Sequence, residues 1–583
     1  MRNLEVAKLF HEIAGLLEIK DENTFKIRAY RRAAMNLESV TEEIEAVAAR
    51  GGLTEIAGIG KDLAAKIQQA LETGHMEYLE ELRAEIPRGV VELMAIPGVG
   101  PKTAKLLFQQ LQVDSVEKLE ALALQGTLLG LPGIKQKTIE NILKGIQVVK
   151  AGRERMPLGR ALPLANELVQ ILETLPAIKQ ISLAGSLRRM RETVKDIDLL
   201  ITSTKPAKVM AVLTSLPQVA EVLLQGETKA TIRHREGIQV DLRVVEPGCF
   251  GAALQYFTGS KAHNIRVREL AVHKGLKVSE YGVFNEATGT RIAGSTEEEV
   301  YKAIGLPYIP PELREDAGEI EAALEGRLPE LLTLSDLRGD LHAHTNWTDG
   351  HHSLETLIEA AQRRGYEYIV VSDHSRAATV AGGLSEERLL DQIRQVRALS
   401  TKYTNIRILA GSECDILADG SMDFSDRVLA QLDIVVCAVH SRFKQDRVGM
   451  TARIVKALAN PYVHILAHPT GRLIGERDPY DVDLEAVFAT AKQYGKALEI
   501  NAQPSRLDLN DHHARRAKEL GVRLAISTDT HSLDQLDNMS LGVATARRAW
   551  VEKSDVINTW PLDKLLTWAH KACQDTAKQS LRS

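Results

Sequence analysis

Residues 338–344 read RGDLHAH, and they are the first of seven short apolar segments in the last 248 residues. The other six are EYIVVSDHS (367–375), IRILAGSE (406–413), LDIVVCAVH (432–440), VHILAHP (463–469), KALEINA (496–502) and RLAISTDTH (523–531). Each segment has the length and composition of a buried strand, and each is followed by a helical pattern. This alternation predicts a parallel barrel of seven βα units.

Six of the seven segments end in histidine or a carboxylate, and in such barrels the chemistry lies at the C-terminal ends of the strands. His342 and His344 are two residues apart, so both leave the strand on one side, and Asp529 and His531 repeat this spacing. The predicted metal ligands are His342, His344, Asp349, His374, Glu413, His440, His468, Asp529 and His531. Imidazoles and carboxylates without thiolates suit Zn²⁺, Mn²⁺ or Fe²⁺. The number of ligands predicts two or three ions and phosphoester hydrolysis, and the alternative is a set of structural histidines.

A second group of carboxylates lies in the stretch GSLRRMRETVKDIDL (185–199). Asp196 and Asp198 alternate on a predicted strand, so both point to one face, and Asp241 on a neighbouring hairpin can join them. Three carboxylates on one face repel one another, and Mg²⁺ relieves this repulsion while also binding substrate phosphates. The pattern predicts a two-metal site that activates a hydroxyl and neutralises a leaving pyrophosphate. The preceding turn offers candidate triphosphate-binding groups on Gly185, Ser186, Arg188 and Arg189.

Two segments near the N-terminus share a helix–GxG–helix pattern, LTEIAGIGKDLAAKI (53–67) and LMAIPGVGPKTAKLL (93–107). Glycines let backbone N–H groups approach a phosphate at the positive end of the following helix, and such binding is independent of base sequence. The predicted DNA-binding glycines are Gly58, Gly60, Gly98 and Gly100. The stretch 101–160 adds a local excess of basic residues.

Length and composition are consistent with a large chain of several globular domains. Its 583 residues predict three to five domains, and 44% hydrophobic with 26% charged residues argues against a mostly disordered protein. We expect no signal peptide, no membrane span and no disulfide framework, which fits the cytoplasm. The net charge of −5 gives no indication of a nucleic-acid partner by itself.

The stretch 185–199, together with Asp241, resembles the nucleotidyltransferase palm of family X DNA polymerases. That family's nucleotide-binding segment is similar to residues 256–284, YFTGSKAHNIRVRELAVHKGLKVSEYGVF. The resemblance implies that Tyr256 and Phe257 border the sugar of a dNTP, and that Asn264 contacts the base or its partner. It also implies a template contact for Arg268. The substrate-binding set is Gly185, Ser186, Arg189, Tyr256, Phe257, Gly259, Asn264 and Arg268. The sequence departs from the family pattern at Lys195, Lys261 and His263.

The segment NTFKIRAYRRAAMNL (23–37) with the first GxG hairpin resembles the small N-terminal domain of family X polymerases. In that family the domain binds the 5′ phosphate of a gap. Lys66 falls at the position of the family's Schiff-base lyase lysine, with Lys26 and Tyr30 as supporting residues. Asp62 stands where relatives often carry a lysine, which lowers the positive field there. Lyase activity and a plain phosphate-binding or surface lysine both remain open.

The barrel segments DLHAHTNWTDG, SDHS, GSE, AVHS, AHP and STDTH resemble the polymerase and histidinol phosphatase (PHP) family over about 336–575. All nine metal positions of that family are filled here. The resemblance implies a phosphoesterase that uses Mn²⁺ or Zn²⁺, with His344, His374 and His468 as catalytic residues. Asp373 is predicted to orient an imidazole.

The predicted fold is multidomain: an α-helical helix-hairpin-helix N-terminal region, an α+β nucleotidyltransferase palm and a C-terminal (βα)7 PHP barrel. The predicted boundaries are 1–80 for a DNA-end-binding domain, 81–155 for a second DNA-binding domain, 156–247 for the palm, 248–315 for a nucleotide-selection subdomain, 316–335 for a linker and 336–583 for the barrel.

The predicted function is a family X DNA polymerase that fills short gaps in DNA repair, with catalytic Asp196, Asp198 and Asp241 binding Mg²⁺. The barrel is predicted to be a 3′→5′ exonuclease. The expected partners are gapped or nicked double-stranded DNA with a 5′ phosphate and dNTPs, with the protein acting as a monomer. Two alternatives stay open: a barrel that hydrolyses small phosphate esters, and a non-catalytic DNA-end-binding protein.

Overall fold

The computed structural model describes residues 3–20, 22–39, 44–56, 58–73, 75–86, 88–94, 96 and 99–570. The chain forms two compact units. The first contains Met1–Glu154 with Gly475–Arg477, and the second contains Arg155–Ile474 with Asp478–Ser583. No helix in the described part of the chain is both long and apolar enough to cross a membrane. Three cysteines in the described ranges, Cys249, Cys414 and Cys437, are unpaired, and Cys573 lies outside those ranges.

The first unit is helical in its described residues, as the 3.6-residue apolar periodicity predicts. Its α-helices are Asn3–Ile19, Thr24–Ser39, Ile44–Ala49, Lys61–Thr73, Glu77–Glu85, Arg88–Leu93, Pro101–Leu111, Val116–Leu124 and Gln136–Glu154. In the helix that follows the first GxG turn, Leu63, Ile67 and Ala70 are buried on one face. The helix after the second GxG turn begins at Pro101, a residue favoured in the first turn because its missing N–H needs no partner there.

The second unit begins with a five-stranded sheet, the palm. In spatial order its strands are Ile178–Leu183, Asp196–Ser203, Gln239–Val244, Lys229–His234 and Val219–Gln225. The predicted hairpin that carries Asp241 is present, because Lys229–His234 and Gln239–Val244 pair antiparallel. The edge strand Val219–Gln225 was not predicted. Six of its seven residues are exposed, including the consecutive apolar residues Val222, Leu223 and Leu224, so the segment lacks the apolar–polar alternation of a half-buried strand. A separate two-stranded sheet pairs Met156–Pro157 with Thr193–Val194.

A small subdomain with its own apolar core lies beside the palm. Three antiparallel strands, Leu276–Ser279, Gly282–Asn285 and Arg291–Ala293, share a core with helices Phe250–Thr258, Lys261–Val272 and Glu297–Ala303. The predicted linker contains one short helix, Glu319–Leu324, as expected. The helix is not a free spacer, because Ile320 and Ala323 pack into the core of the subdomain.

The C-terminal region forms the seven-stranded parallel barrel that the sequence predicts. Its strands are Gly339–Asp340, Tyr368–Val371, Arg407–Asp415, Ile434–Ala438, Ile465–Leu466, Ala497–Asn501 and Arg523–Ser527, in sequential order. A parallel bridge between Ala343 and Thr530 links the ends of the first and last strands. Successive strand residues alternate between two apolar clusters: Tyr368 and Val370 belong to one, and Ile369 and Val371 to the other. Burial on both faces explains why these strands are continuously apolar in sequence.

The remaining helices cover the palm and the barrel. They are Leu158–Glu173, Gly185–Arg188, Pro206–Ser215, Leu354–Arg363, Glu386–Lys402, Asp426–Leu429, Arg447–Leu458, Leu484–Gln493, Asp511–Glu519 and Met539–Arg548. Five barrel helices begin after a residue whose side chain accepts a hydrogen bond from a backbone N–H of the first turn. These capping residues are Ser353, Ser385, Asp446, Asp483 and Asn510.

Candidate active sites

The structure brings the nine predicted barrel ligands into one cluster. The ligand atoms form three sets, and within each set all atoms lie within 4.8 Å of one another. The sets are His344 with Asp349, His374 and His531; His342 with His344, Glu413 and Asp529; and His374 with Glu413 and His440. Glu413 belongs to two of the sets and also contacts His468, whose Nε2 lies 2.8 Å from Glu413 Oε1. A carboxylate shared in this way is suited to bridge two ions.

Several buried ligand atoms have no hydrogen bond to any described residue. Both ring nitrogens of His344 are in this state, and so are His342 Nε2, His468 Nδ1 and Asp349 Oδ1. His344 Nε2 lies 3.2 Å from Asp529 Oδ1, yet the two atoms do not form a hydrogen bond. Buried polar atoms without partners are costly, and atoms that face a common point fit a metal ion. The donor set therefore fits divalent metals.

Burial and neighbouring charges shift the pKa values of the imidazoles in the cluster in opposite directions. Burial works to lower the pKa of His440, but Glu413 and Asp415 outweigh it and raise the pKa to about 9. His344 behaves in the opposite way, because burial and then the neighbouring His531 and His374 lower its pKa to about 3. An imidazole must be neutral to bind a metal, so metal binding at this cluster displaces protons.

Sequence reasoning missed Glu499, which lies on the one barrel strand without a predicted ligand. Its Oε1 lies 2.8 Å from His342 Nδ1, and its Oε2 accepts a hydrogen bond from the backbone N–H of His468. Glu499 thus orients two predicted ligands, which is the role of carboxylates behind metal-bound histidines. A signal was present in the sequence, because a glutamate inside an otherwise apolar barrel strand needs a polar partner.

The prediction that Asp373 orients an imidazole is wrong. Its carboxylate accepts hydrogen bonds from Thr345, Thr348 and Gln392 instead. These bonds fix the turn that follows His344, so Asp373 supports the site through the backbone. The physical reason is that neighbouring residues on a strand point to opposite faces, so Asp373 and His374 face different partners.

The palm carboxylates meet through strand register. Asp198 and Asp241 are direct partners on adjacent parallel strands, and Asp196 lies two residues before Asp198. Gly185 approaches this group so closely that a Cβ there would lie 2.1 Å from Asp198 Oδ2, and its φ of +64° also favours glycine. Burial, and then the charges of Asp196 and Asp241, raise the pKa of Asp198 to about 7. A site that resists three negative charges in this way fits a divalent cation.

The two arginines of the preceding turn already have protein partners. Arg188 binds both carboxylate oxygens of Glu297, at 2.9 and 2.6 Å. Arg189 Nε donates to Glu315 Oε1 at 3.0 Å, and its Nη1 donates to the backbone oxygen of Thr258. Ser186 lies on the same turn and is half-buried.

The predicted nucleotide-binding segment is held by its own hydrogen bonds. Tyr256 and Phe257 pack edge to face with ring centres 5.2 Å apart. Asn264 Nδ2 donates to the backbone oxygen of Tyr256 at 2.7 Å, while Arg268 is exposed. His263 does not face this segment's surface: it is fully buried, with its ring nitrogens 2.7 Å from a Glu319 oxygen and 2.8 Å from the Tyr301 hydroxyl. Gly259 has a φ of +69°, and a Cβ there would lie 3.3 Å from Arg189 Nη1.

In the first unit, two of the described GxG glycines border open space. No described atom lies within 4 Å of a Cβ built on Gly60 or Gly100, and the following helices begin at the next residue in each case. Gly58 has a φ of +77°. Gly98 was predicted to bind DNA and lies outside the described residues.

Lys66 lies beside the first GxG turn and forms an ion pair. Its Nζ is 2.6 Å from Asp62 Oδ1. Lys26 and Lys66 both lie over the ring of Tyr78, each 5.2 Å from its centre, and Tyr30 stacks on the same ring. The three residues predicted to support a lyase therefore share one small cluster, in which Asp62 offsets the lysine charge.

Comparisons with known proteins cover most of the chain. Family models match residues 1–76 (helix-hairpin-helix domain), 90–147 (SAM-like helix-hairpin-helix tandem), 253–315 (DNA polymerase beta thumb) and 340–503 (PHP domain). A relative from Bacillus subtilis, DNA polymerase/3′-5′ exonuclease PolX, is 40% identical over 96% of this chain and 97% of its own length. The chain belongs to the family X DNA polymerases that carry a PHP domain. The predicted family and fold class are thereby confirmed.

Two further relatives match shorter stretches of this family X chain. Rat DNA polymerase lambda is 29% identical over 45% of the chain and 48% of its own length. A protein of Caldanaerobacter subterraneus named as a probable phosphatase is 31% identical over 33% of the chain and 77% of its own length.

Proposed function

We propose that this protein is a DNA-directed DNA polymerase that fills short gaps during DNA repair, and that its barrel is a 3′→5′ exonuclease. The observation that carries the polymerase assignment is the strand register that aligns Asp198 with Asp241 next to Asp196. The full-length similarity to PolX supports the pairing of this site with an exonuclease.

In the palm, Asp196, Asp198 and Asp241 would hold Mg²⁺. There Mg²⁺ would supply activation of the primer 3′-hydroxyl and neutralisation of the leaving pyrophosphate. The chain holds one of these carboxylates in position, because Thr231 and Gln239 each donate a hydrogen bond to Asp241, at 2.6 and 2.7 Å. Fixed ligands of this kind reduce the reorganisation that metal and substrate binding require.

The remaining palm residues would position the dNTP. Ser186 and the backbone of the turn after Gly185 would bind the triphosphate, together with Arg189. Tyr256 and Phe257 would contact the sugar, while Asn264 and Arg268 would contact the base pair. The bond from Asn264 to the Tyr256 backbone supports this role, because it links the base contact to the sugar contact.

The first unit would hold DNA by its backbone. Gly58, Gly60 and Gly100 are exposed residues at turns that precede helices, where backbone N–H groups would approach a phosphate. We infer that the preferred substrate is gapped DNA with a 5′ phosphate. Lyase action by Lys66 is a further proposal, and it requires the amine to leave Asp62, whose Oδ1 lies 2.6 Å from Nζ.

The barrel cluster would hold two or three ions, and its histidines favour Mn²⁺ or Zn²⁺ over Mg²⁺. Such ions would supply activation of water at neutral pH and stabilisation of negative charge on a phosphodiester. Here the chain contributes His344, His374 and His468 as ligands, and Glu499 as the group that holds two ligand positions. The first unit of the same chain, by binding DNA, would raise the effective concentration of DNA at the barrel.

A second function for the barrel is small-ester hydrolysis, which the similarity to a probable phosphatase favours. One experiment separates the assignments. Purified protein is incubated with end-labelled gapped DNA, dNTPs and either Mg²⁺ or Mn²⁺, and in parallel with a small phosphate monoester. Extension by whole nucleotides, lost in Asp198→Ala, supports the polymerase. Shortening from the 3′ end, lost in His344→Ala, supports the exonuclease. Hydrolysis of the monoester alone supports the phosphatase.

A further inference from the structure

The guanidinium group of Arg548 links the barrel to the palm. Arg548 ends the barrel helix Met539–Arg548, and its side chain is only 5% exposed. On one side, Nε and Nη2 bind Oδ2 of Asp511 at 2.8 and 2.7 Å. On the other side, Nη1 donates to the backbone oxygen of Arg189 at 2.7 Å and to Glu315 Oε1 at 3.1 Å. A barrel residue thus touches both the proposed triphosphate ligand and the carboxylate that holds it.

Glu315 shares a single oxygen between two arginines. Oε1 accepts from Arg189 Nε at 3.0 Å and from Arg548 Nη1 at 3.1 Å. The side chains of Arg189 and Glu315 are 12% and 22% exposed, so both charges are partly withdrawn from water. Arg189 therefore cannot turn toward a triphosphate without giving up a carboxylate that needs another partner.

Arg548 supplies that partner. When Arg189 moves to the triphosphate, Glu315 keeps its contact with Arg548, and no partly buried carboxylate is left unpaired. If Arg548 were absent, the release of Arg189 would leave Glu315 with only the longer contact to Arg191, whose Nη1 lies 3.9 Å from Oε1, and the triphosphate would have to offset the lost hydrogen bond. The bond from Arg548 to the Arg189 backbone also holds the turn in place.

We propose that Arg548 of the barrel is a positioning residue for the incoming dNTP at the palm. It acts through Glu315, by allowing Arg189 to exchange a protein carboxylate for the triphosphate. The inference rests on the proposed polymerase function and goes beyond it, because it makes the barrel part of the nucleotide site of the palm even when the barrel's own chemistry is switched off.

The neighbouring residue Arg547 provides a matched control. Its Nε binds Glu312 Oε1 at 2.7 Å, and its Nη1 donates to the backbone oxygen of Leu332 at 3.0 Å. In the described part of the chain it has no hydrogen bond to the turn at 185–191. Arg547→Met therefore removes a cation of similar size from the same helix without touching the contacts of Arg189.

The test measures gap filling by the full-length protein as a function of dNTP concentration. Arg548→Met should raise the dNTP KM by about tenfold with a much smaller change in kcat, since it removes ground-state nucleotide binding. Arg547→Met should leave the KM unchanged. Binding of gapped DNA without dNTP should be unchanged in both variants.

A second substitution distinguishes exchange from mere structural support. In Arg548→Met, the further change Glu315→Gln removes the charge that would be left unpaired, so the dNTP KM should fall back toward the wild-type value. A purely structural role predicts a further loss in the double variant. Should Arg548→Met fail to fold, Glu315→Gln alone keeps the inference testable, because it should lower the dNTP KM by releasing Arg189.

The outcomes separate the inference from the proposed function. If the wild-type protein does not extend a gapped primer, the polymerase proposal fails and this inference fails with it. If the wild-type protein extends the primer but Arg548→Met keeps a normal KM, or the double variant is worse than the single one, the inference alone is overturned.

Discussion

We predict that ionisation of Asp198 lowers the free energy of unfolding of the metal-free protein. Comparison with Asp198→Asn measures the size of this effect. Burial and the neighbouring Asp196 and Asp241 raise the pKa of Asp198 from its ordinary value of 3.8 to about 7. A shift of roughly 3 units corresponds to about 4 kcal/mol. Because the folded-state pKa is raised, ionisation costs nothing below pH about 3.8, and the cost grows as pH rises and is complete above pH about 7.

The isosteric amide removes this cost, so Asp198→Asn should stabilise the protein in EDTA. For a cooperative unit of about 430 residues, 4 kcal/mol corresponds to a rise in Tm of roughly 4 °C at pH 8. At pH 5 the cost is only about 1.7 kcal/mol, so the rise should be less than half as large. The assay is scanning calorimetry at both pH values, with and without Mg²⁺.

Two controls frame this measurement. Glu227→Gln, at an exposed position between the strands Val219–Gln225 and Lys229–His234, should leave Tm unchanged at both pH values. Added Mg²⁺ should raise the Tm of the wild-type protein more than that of Asp198→Asn, because the variant has lost a ligand. An equal shift at pH 5 and pH 8, or a destabilised variant at pH 8, would refute the electrostatic reasoning.

Four further predictions follow from the same structure. His344→Ala or His468→Ala should abolish Mn²⁺-dependent cleavage while Mg²⁺-dependent gap filling stays nearly intact, as measured on labelled DNA; degradation by both variants would place the nuclease elsewhere. Metal binding to the barrel should release protons and weaken as pH falls, because raised-pKa imidazoles such as His440 must deprotonate; a pH-independent affinity in calorimetric titration would contradict this. Glu499→Gln should lower metal affinity by about 10- to 100-fold without unfolding the barrel, as followed by metal titration. Affinity for gapped DNA should fall steeply between low and high salt and should depend on the 5′ phosphate, which a fluorescence anisotropy titration tests.

The sequence predicted the barrel and its ligand set well, because each strand carries two independent signals. Apolar residues such as Val370 and Ile369 on both faces specify a doubly buried parallel strand, and a ligand at the strand end specifies the rim. Strand order follows from the βα alternation, so the ligand ends meet at one end without further information. Asp198 and Asp241 were predictable for a related reason, since alternation on a strand fixes the face of each side chain.

The parts that sequence reasoning missed depend mainly on tertiary contacts. Glu499 is visible as a polar residue in an apolar strand, but its role is not, because its partner His342 lies more than 150 positions earlier in the chain. The edge strand Val219–Gln225 has no buried face, so its apolar residues do not alternate with polar ones as they do in a half-buried strand. The role of Asp373 was misjudged because a carboxylate next to a ligand can serve either the imidazole or the turn, and only the positions of Thr345 and Gln392 decide which.

The contact between Arg548 and Glu315 is also a tertiary contact between residues that are distant in sequence. It connects the barrel to the turn of the palm that carries the proposed triphosphate ligands. A fusion of two enzymes through an isolated linker would leave each site indifferent to the other. Here Arg472 of the barrel also binds Glu192 of the palm turn at 2.7 Å, while its Nε donates to the backbone oxygen of Arg506, whose side chain approaches Asp529. The turn that carries the proposed triphosphate ligands is therefore held by two barrel arginines. One of these arginines also supports a loop at the barrel metal cluster. A displacement of this turn would therefore change the contacts of Arg548 and Arg472 with the barrel side. The barrel is thus a structural part of the palm as well as a second enzyme.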